Sequence, residues 1–208
     1  MVRAAEPRPA TGPTSVSRIL PWVLTLGGLI GLASSAILII EKIRLLSRPG
    51  YVPTCSINPI MSCGSVMNSW QAEALGLPNP LLGVAGFAVV TTIGVAVLAR
   101  AVLPRWFWLG LQTGAALGLI LIHWLIFQSL YRINALCPYC MIVWAVTIPI
   151  FWYVTVHNLC GGMLSRAPGW RRIGHALARY HSVVPTVWLT LVVLAVAHRF
   201  WDYWSSLL

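Results

Sequence analysis

Charge is scarce in this sequence. Only 9% of its 208 residues are charged while 58% are hydrophobic, and a water-soluble domain of this length could not hide so much apolar surface inside one core. That excludes a soluble globular protein and leaves an integral membrane protein. Cysteine is also sparse: five residues are too few for a disulfide-dense secreted scaffold, but four of them group as two pairs, which fits a small thiol exchange system. A basic helix or stripe is missing as well. The formal charge is +10, yet the lysines and arginines are scattered between apolar runs, so they read as topology signals and not as a nucleic-acid surface. There is no internal repeat.

What is present is organised around Cys137-Pro138-Tyr139-Cys140 at the head of a long apolar run. Proline suits the first helical position, where its missing N–H has no intrahelical partner. The spacing therefore predicts Cys137 at a helix cap and Cys140 in the first turn. A thiolate there meets unpaired N–H groups and the positive end of the helix dipole, so one of the two thiols should have a lowered pKa. Two sulfurs within one turn can alternate between dithiol and disulfide.

In chain order, residues 1–17 are polar and rich in Pro, Ala and Arg, and are expected to form a disordered tail. A signal peptide fits poorly, because the next apolar run is too long for an h-region and no clean cleavage site follows. The first span is expected from about Ile19 to Leu46, with Gly27, Gly28, Gly31, Ala33, Ser34 and Ser35 forming a small-residue face for close helix approach. From Ser47 to Asn79 prolines and glycines break the chain into a loop carrying Cys55 and Cys63, with a short half-buried helix over 64–75 lying on the bundle as a lid. Three further spans are expected at about Leu81–Val102, Trp106–Tyr131 and Cys137–Leu159, antiparallel because their connections are short. Residues 161–180 read as a polar connection, and a fifth span at about Val183–Phe200 ends in an interfacial aromatic cluster.

The expected fold is thus an all-α integral membrane bundle of four helices (18–160), with a fifth, peripheral transmembrane helix (181–208) and a cysteine-bearing outer loop. Orientation follows from the basic residues. With the N-terminus cytoplasmic, the inner side holds Arg3, Arg8, Arg18, Arg100, Arg105, Arg166, Arg171, Arg172 and Arg179. The outer side then holds Lys42, Arg44, Arg48, Arg132 and Arg199. The excess favours N-in. Both cysteine pairs then face the outer compartment, where protein disulfides persist.

Cys55 and Cys63 in the first outer loop, Asn79-Pro80-Leu81-Leu82-Gly83 opening the second span and Cys137-Pro138-Tyr139-Cys140 opening the fourth together resemble the vitamin K epoxide reductase family. The match runs from roughly Ile19 to Leu159 and is most similar to the bacterial branch that forms protein disulfides. That resemblance implies a bacterial inner or plasma membrane location and a membrane quinone, menaquinone or ubiquinone, as electron acceptor, with no metal. The branch often carries a fused thioredoxin-like domain after the fifth span; none follows here, so a separate thioredoxin-fold thiol oxidase in the extracytoplasmic space is implied as partner. By the same resemblance Cys137 and Cys140 are the active-site disulfide, and Cys140 is the thiolate that passes electrons to the quinone. Cys63 attacks Cys137, and Cys55 receives electrons from the partner. Asn79 would hydrogen-bond the quinone, with Met67, Ser69, Trp70 and Trp144 lining its pocket.

Plainer readings stand beside these. Asn79 before Pro80 could simply cap a helix, and Met67, Trp70 and Trp144 could be core. His123 inside the third span could supply protons or be a packed neutral histidine. Cys160, at the far end of the fourth span, reads as inert. Two rival functions are a structural membrane scaffold with a disulfide-braced loop and a four-cysteine metal site. Against the metal site stand the long Cys55–Cys63 gap and the oxidising side of the membrane.

Overall fold

The computed structural model describes residues 15–73, 76–164 and 167–205. Arg3, Arg8, Arg166, Ala74, Leu75 and most of the expected disordered tail lie outside the described residues. Ser15 to Ser17 are already helical: the first helix, α1, runs Ser15–Ser47. Then come α2 (Cys63–Met67), a 3-10 turn (Trp70–Glu73), α3 (Asn79–Leu98) and α4 (Arg105–Gln128), which continues as a π-helical turn (Ser129–Ile133). The chain ends with α5 (Pro138–Cys160), α6 (Pro168–Arg179), α7 (Val183–Arg199) and a short α8 (Trp201–Ser205). Helices α1, α3, α4 with its π turn, and α5 are each long and apolar enough to cross a membrane; α6 and α7, bent by 67°, together make a fifth candidate. Among the described residues the only β pairing is a single parallel bridge between Met61 and Leu136.

Small residues let α1 and α3 pack backbone to backbone, which is what holds helices together where the apolar effect between them is weak. A Cβ on Gly28 would fall 2.9 Å from the Thr91 backbone nitrogen, and one on Gly94 would overlap the backbone of Leu24 and Thr25. Gly31 and Gly83 are filled in the same way by Phe87 and by Ser35. Gly86, between Gly83 and Gly94 on the same helix, meets nothing within 4 Å and is not a packing position.

α5 is the central helix, contacting α1, α4, α6 and α7. Along it run two of the apolar clusters: one with Leu20, Leu24, Phe87, Trp108 and Ile150, the other with Ile122, Leu136, Trp144, Ile148, Val196 and Phe200. The second cluster includes α7, so the fifth helix is peripheral but firmly attached. His123 fastens it: its Nδ1 donates to Leu119 O at 2.9 Å and its Nε2 accepts from the Trp188 indole at 3.0 Å. His123 is thus packed and hydrogen-bonded on both ring nitrogens.

Residues 161–180 differ from the expected polar connection. Most form α6, an amphipathic helix whose Gly174 sits where a Cβ would meet the backbone of Leu159 and Cys160. Alternation of Arg171, Arg172, His175 and Arg179 with Trp170, Ile173 and Leu177 explains it, since a helix with one basic and one apolar face lies along a membrane surface. Cys160, at the α5 end beneath α6, is about 30 Å along the helix from Cys140.

Candidate active site

Three local features bring the two cysteine pairs together. First, Asn58 Oδ1 accepts from the backbone N–H groups of Ile60 and Met61 (3.1 and 2.7 Å), closing a turn in the loop. Second, Leu136 N donates to Ile60 O at 2.7 Å and Met61 bridges Leu136. This one pairing sets the register: Cys63 two residues beyond Met61 meets Cys137 one residue beyond Leu136. Third, both cysteines open helices. Cys63 begins α2 behind the Ser62 cap, and Cys137 is the N-cap of α5 with extended backbone (φ −118°, ψ 120°) and Pro138 at the first helical position.

The result is a buried sulfur cluster. Cys55 and Cys63 form a disulfide, and Cys63 Sγ lies 3.2 Å from Cys137 Sγ. The three sulfurs are within 4.8 Å of one another. Cys137 and Cys140 are free thiols. The Cys140 thiol donates to Cys137, and the backbone N–H groups of Cys140 and Tyr139 point at it too; together they hold the Cys137 thiol below the ordinary thiol range against the opposite pull of burial. Leu38 and Met67 seal the cluster, with Cys140 and Tyr139 packed at its edge.

An outer latch keeps the loop in place. Glu41, 3% exposed near the end of α1, accepts from Tyr51 OH at 3.0 Å and from the backbone N–H and hydroxyl of Thr54, both at 3.2 Å. Lys42, also buried, donates to Met67 O at 2.7 Å and pairs with Glu73 at 3.1 Å. Lys42 therefore does more than mark topology: it carries the lid. Glu41 went unnoticed in the sequence. The available signal was an adjacent Glu-Lys pair inside the last turns of an apolar helix, a place where charges persist only with partners.

The lid is not one helix over 64–75. It breaks after Met67 into the 3-10 turn: past the C-cap Asn68 the Ser69 N–H bonds three residues back to Val66 O, and the Ser69 hydroxyl donates to the same carbonyl. Met67 faces inward. Trp70, expected to line a pocket from the lid, is 69% exposed and touches Trp124 edge-on at 6.0 Å. Asn79 is not a cap: Pro78 holds that position and no side chain caps α3. Instead Asn79 Nδ2 donates to Gln71 O at 2.7 Å, tying α3 to the lid, while its Oδ1 is buried with no partner among the described residues. Gln71 reaches Gln128 at 3.4 Å, so a small polar group that the sequence reading missed lies beneath the 3-10 turn. Trp144 is 3% exposed and belongs to the α5–α7 cluster, which shares Cys140 with the sulfur cluster. The structure thus unites Cys55, Cys63, Cys137, Cys140 and Met67, links Asn79 to the lid, and leaves Ser69 and Trp70 on the lid's outer part.

One expectation changes with this geometry. Cys55 was expected to meet a soluble protein directly, but it is only 5% exposed, packed with Leu38, Cys63, Met67 and Cys137. Access requires the loop that Glu41 holds through Tyr51 and Thr54 to open.

A family model described as the vitamin K epoxide reductase family matches residues 22–155. No curated protein and no solved structure matches the chain.

Proposed function

Because the chain belongs to the vitamin K epoxide reductase family and is accordingly a membrane thiol–disulfide oxidoreductase, we propose that it reoxidises a separate thioredoxin-fold thiol oxidase and passes the electrons to a membrane quinone, supporting disulfide formation in exported proteins. The observation that carries this reading is the 3.2 Å contact between Cys63, in the loop disulfide, and Cys137, in the helix-capping dithiol. Thiol–disulfide exchange needs a thiolate in line with a disulfide sulfur, and this pair supplies the contact.

The sequence of exchanges is as follows. The partner's dithiol reduces the loop disulfide through Cys55, leaving Cys55 and Cys63 as thiols and the partner oxidised. Cys63 then attacks Cys137 of the Cys137–Cys140 disulfide; the Cys63–Cys137 bond forms and Cys140 leaves as the reduced sulfur. Cys55 attacks Cys63, closing the Cys55–Cys63 disulfide and releasing Cys137. The endpoint of these exchanges is a loop disulfide beside an inner dithiol, the arrangement described above. A lowered Cys137 pKa supports it as a good leaving sulfur in the last step.

A quinone bound beside Cys140 would supply the two-electron, two-proton acceptor that the inner dithiol requires. The Asn79 carboxamide fits such a group. Its buried, unpartnered Oδ1 offers an acceptor to a ring hydroxyl, and turning Nδ2 away from Gln71 O would offer a donor to a ring carbonyl. Met67 from the lid and Trp144, one turn beyond Cys140, belong to the two apolar clusters that meet at Cys140, which supports them as the apolar surround, with Ser69 and Trp70 at its outer edge. In this reading 18–160 is the catalytic bundle in a bacterial plasma membrane, with the N-terminus cytoplasmic and the cysteines outside.

The test is reconstitution. Purified protein, a reduced thioredoxin-fold oxidase and a short-tailed quinone should give quinone reduction, followed by absorbance, that is lost in Cys63→Ser and in Cys140→Ala. Oxidation of the partner without quinone reduction would overturn the proposal.

A further inference from the structure

At the end of the bundle opposite the cysteines lies an open cavity of about 480 Å³ lined by Arg105, Gly161, Gly162, Met163 and Arg171. Its walls come from three elements: the first residue of α4, the turn after α5 and the first turn of α6. The turn is shaped by Gly162 in the left-handed region (φ +66°), where a side chain would be strained. Arg105 is pinned across it, its Nε donating to Met163 O at 2.8 Å. That bond uses one edge of the guanidinium and leaves the planar Nη fork, the part that matches a phosphate, for another partner.

No carboxylate of the described residues serves these arginines. The chain holds four acidic residues, Glu6, Glu41, Glu73 and Asp202. Glu41 and Glu73 are engaged at the cysteine end, and Asp202 follows α7, whose last turn is tied to Leu130 and Asn134 at that same end; Glu6 lies outside the described residues. The cavity is therefore a cationic hollow at the level where the spans end.

We propose that this hollow binds the phosphodiester headgroup of an anionic phospholipid. Arg105 and Arg171 would hold the phosphate, and Trp106 (71% exposed) and Trp170 (51%), each next to one of these arginines in the chain, would lie against the lipid at the interface. A soluble phosphate would use the arginines and leave the tryptophans in water, so the aromatic flanks favour a lipid. The bound headgroup would tie α6 to the α4–α5 end of the bundle.

Native mass spectrometry of the purified full chain, titrated in detergent with dioleoyl-phosphatidylglycerol or dioleoyl-phosphatidylcholine, tests this without reference to redox activity. One phosphatidylglycerol should bind in preference to phosphatidylcholine. Arg171→Gln, which removes no hydrogen bond among the described residues, should weaken it about fivefold, and Arg105→Gln by a similar factor or more. Arg179→Gln, on the same helix but away from the cavity, should leave it within about twofold. Equal loss in all three variants would make the binding diffuse surface attraction and overturn the proposal. So would displacement of the bound phosphatidylglycerol by an equal concentration of inorganic phosphate, or equal binding of the two lipids.

Discussion

Lys42→Met should loosen the lid without disturbing the bundle. The ammonium is buried and makes two contacts, 2.7 Å to Met67 O and 3.1 Å to Glu73, whose side chain is half-exposed. The first is a charged hydrogen bond in a buried setting, contributing about 1.5–3 kcal/mol. The second is partly solvated and contributes under about 1 kcal/mol. Methionine keeps the length and apolar stem of lysine, so packing against α2 changes little and the lost polar contacts dominate. The lid's opening equilibrium should rise roughly 10- to 150-fold. Hydrogen exchange followed by mass spectrometry reads this directly: protection of the Val66 and Asn68 amides, bonded to Ser62 O and Gly64 O, should fall by that factor, while amides within α4 keep theirs. Glu73→Gln should change the same amides less than about fivefold. Protection in Lys42→Met within threefold of the parent would refute the idea that this ammonium holds the lid.

Four further outcomes follow from the site. Asn79→Ala should slow quinone reduction roughly 10- to 100-fold while leaving exchange with the partner nearly unchanged, and equal slowing of both would reduce Asn79 to a tie between α3 and Gln71. A partner variant that keeps only its attacking cysteine should be trapped on Cys55 of the parent protein, because its thiolate displaces Cys63 from the loop disulfide and it has no second thiol to release it, as read by mass spectrometry of the blocked, non-reduced protein; a partner trapped on Cys137 would sink the shuttle order. Cys140→Ala removes the first hydrogen bond that lowers the Cys137 pKa. Attack by Cys137 on the loop disulfide depends on its thiolate, present above that pKa and lost as pH falls through it, so the pH–rate curve in this variant should move to higher pH; an unmoved curve would assign the lowering to the backbone N–H groups alone. After reduction of intact cells, Cys55 should react with a membrane-impermeant thiol reagent, faster in Glu41→Gln because that change weakens the hold on Tyr51 and Thr54; labelling only after permeabilisation would reverse the topology.

Composition and period were enough to determine the membrane bundle, its span positions to within a few residues, and Cys137 as the cap of α5 with Cys140 one turn inside. These are local properties: hydrophobic length sets a span, and proline at the first helical position sets a helix start whatever surrounds it. The placement of both cysteine pairs at one end follows equally from counting antiparallel spans. Tertiary structure alone decided the rest. A single backbone pairing, Leu136 N to Ile60 O, selects which loop sulfur meets Cys137, and no composition rule encodes a pairing between segments 76 residues apart. Glu41 and Lys42 read as charges at a span end until the fold supplies Tyr51, Thr54, Met67 and Glu73 as their partners. The plainer reading made Asn79 a cap because asparagine before proline opens helices, yet its amide donates to the Gln71 carbonyl and no side chain caps that helix. Whether Trp144 and Trp70 turn inward or outward depends on what α7 and α4 place beside them. Local pattern reports what a residue can offer; the partner that accepts the offer is chosen by segments far away in the chain.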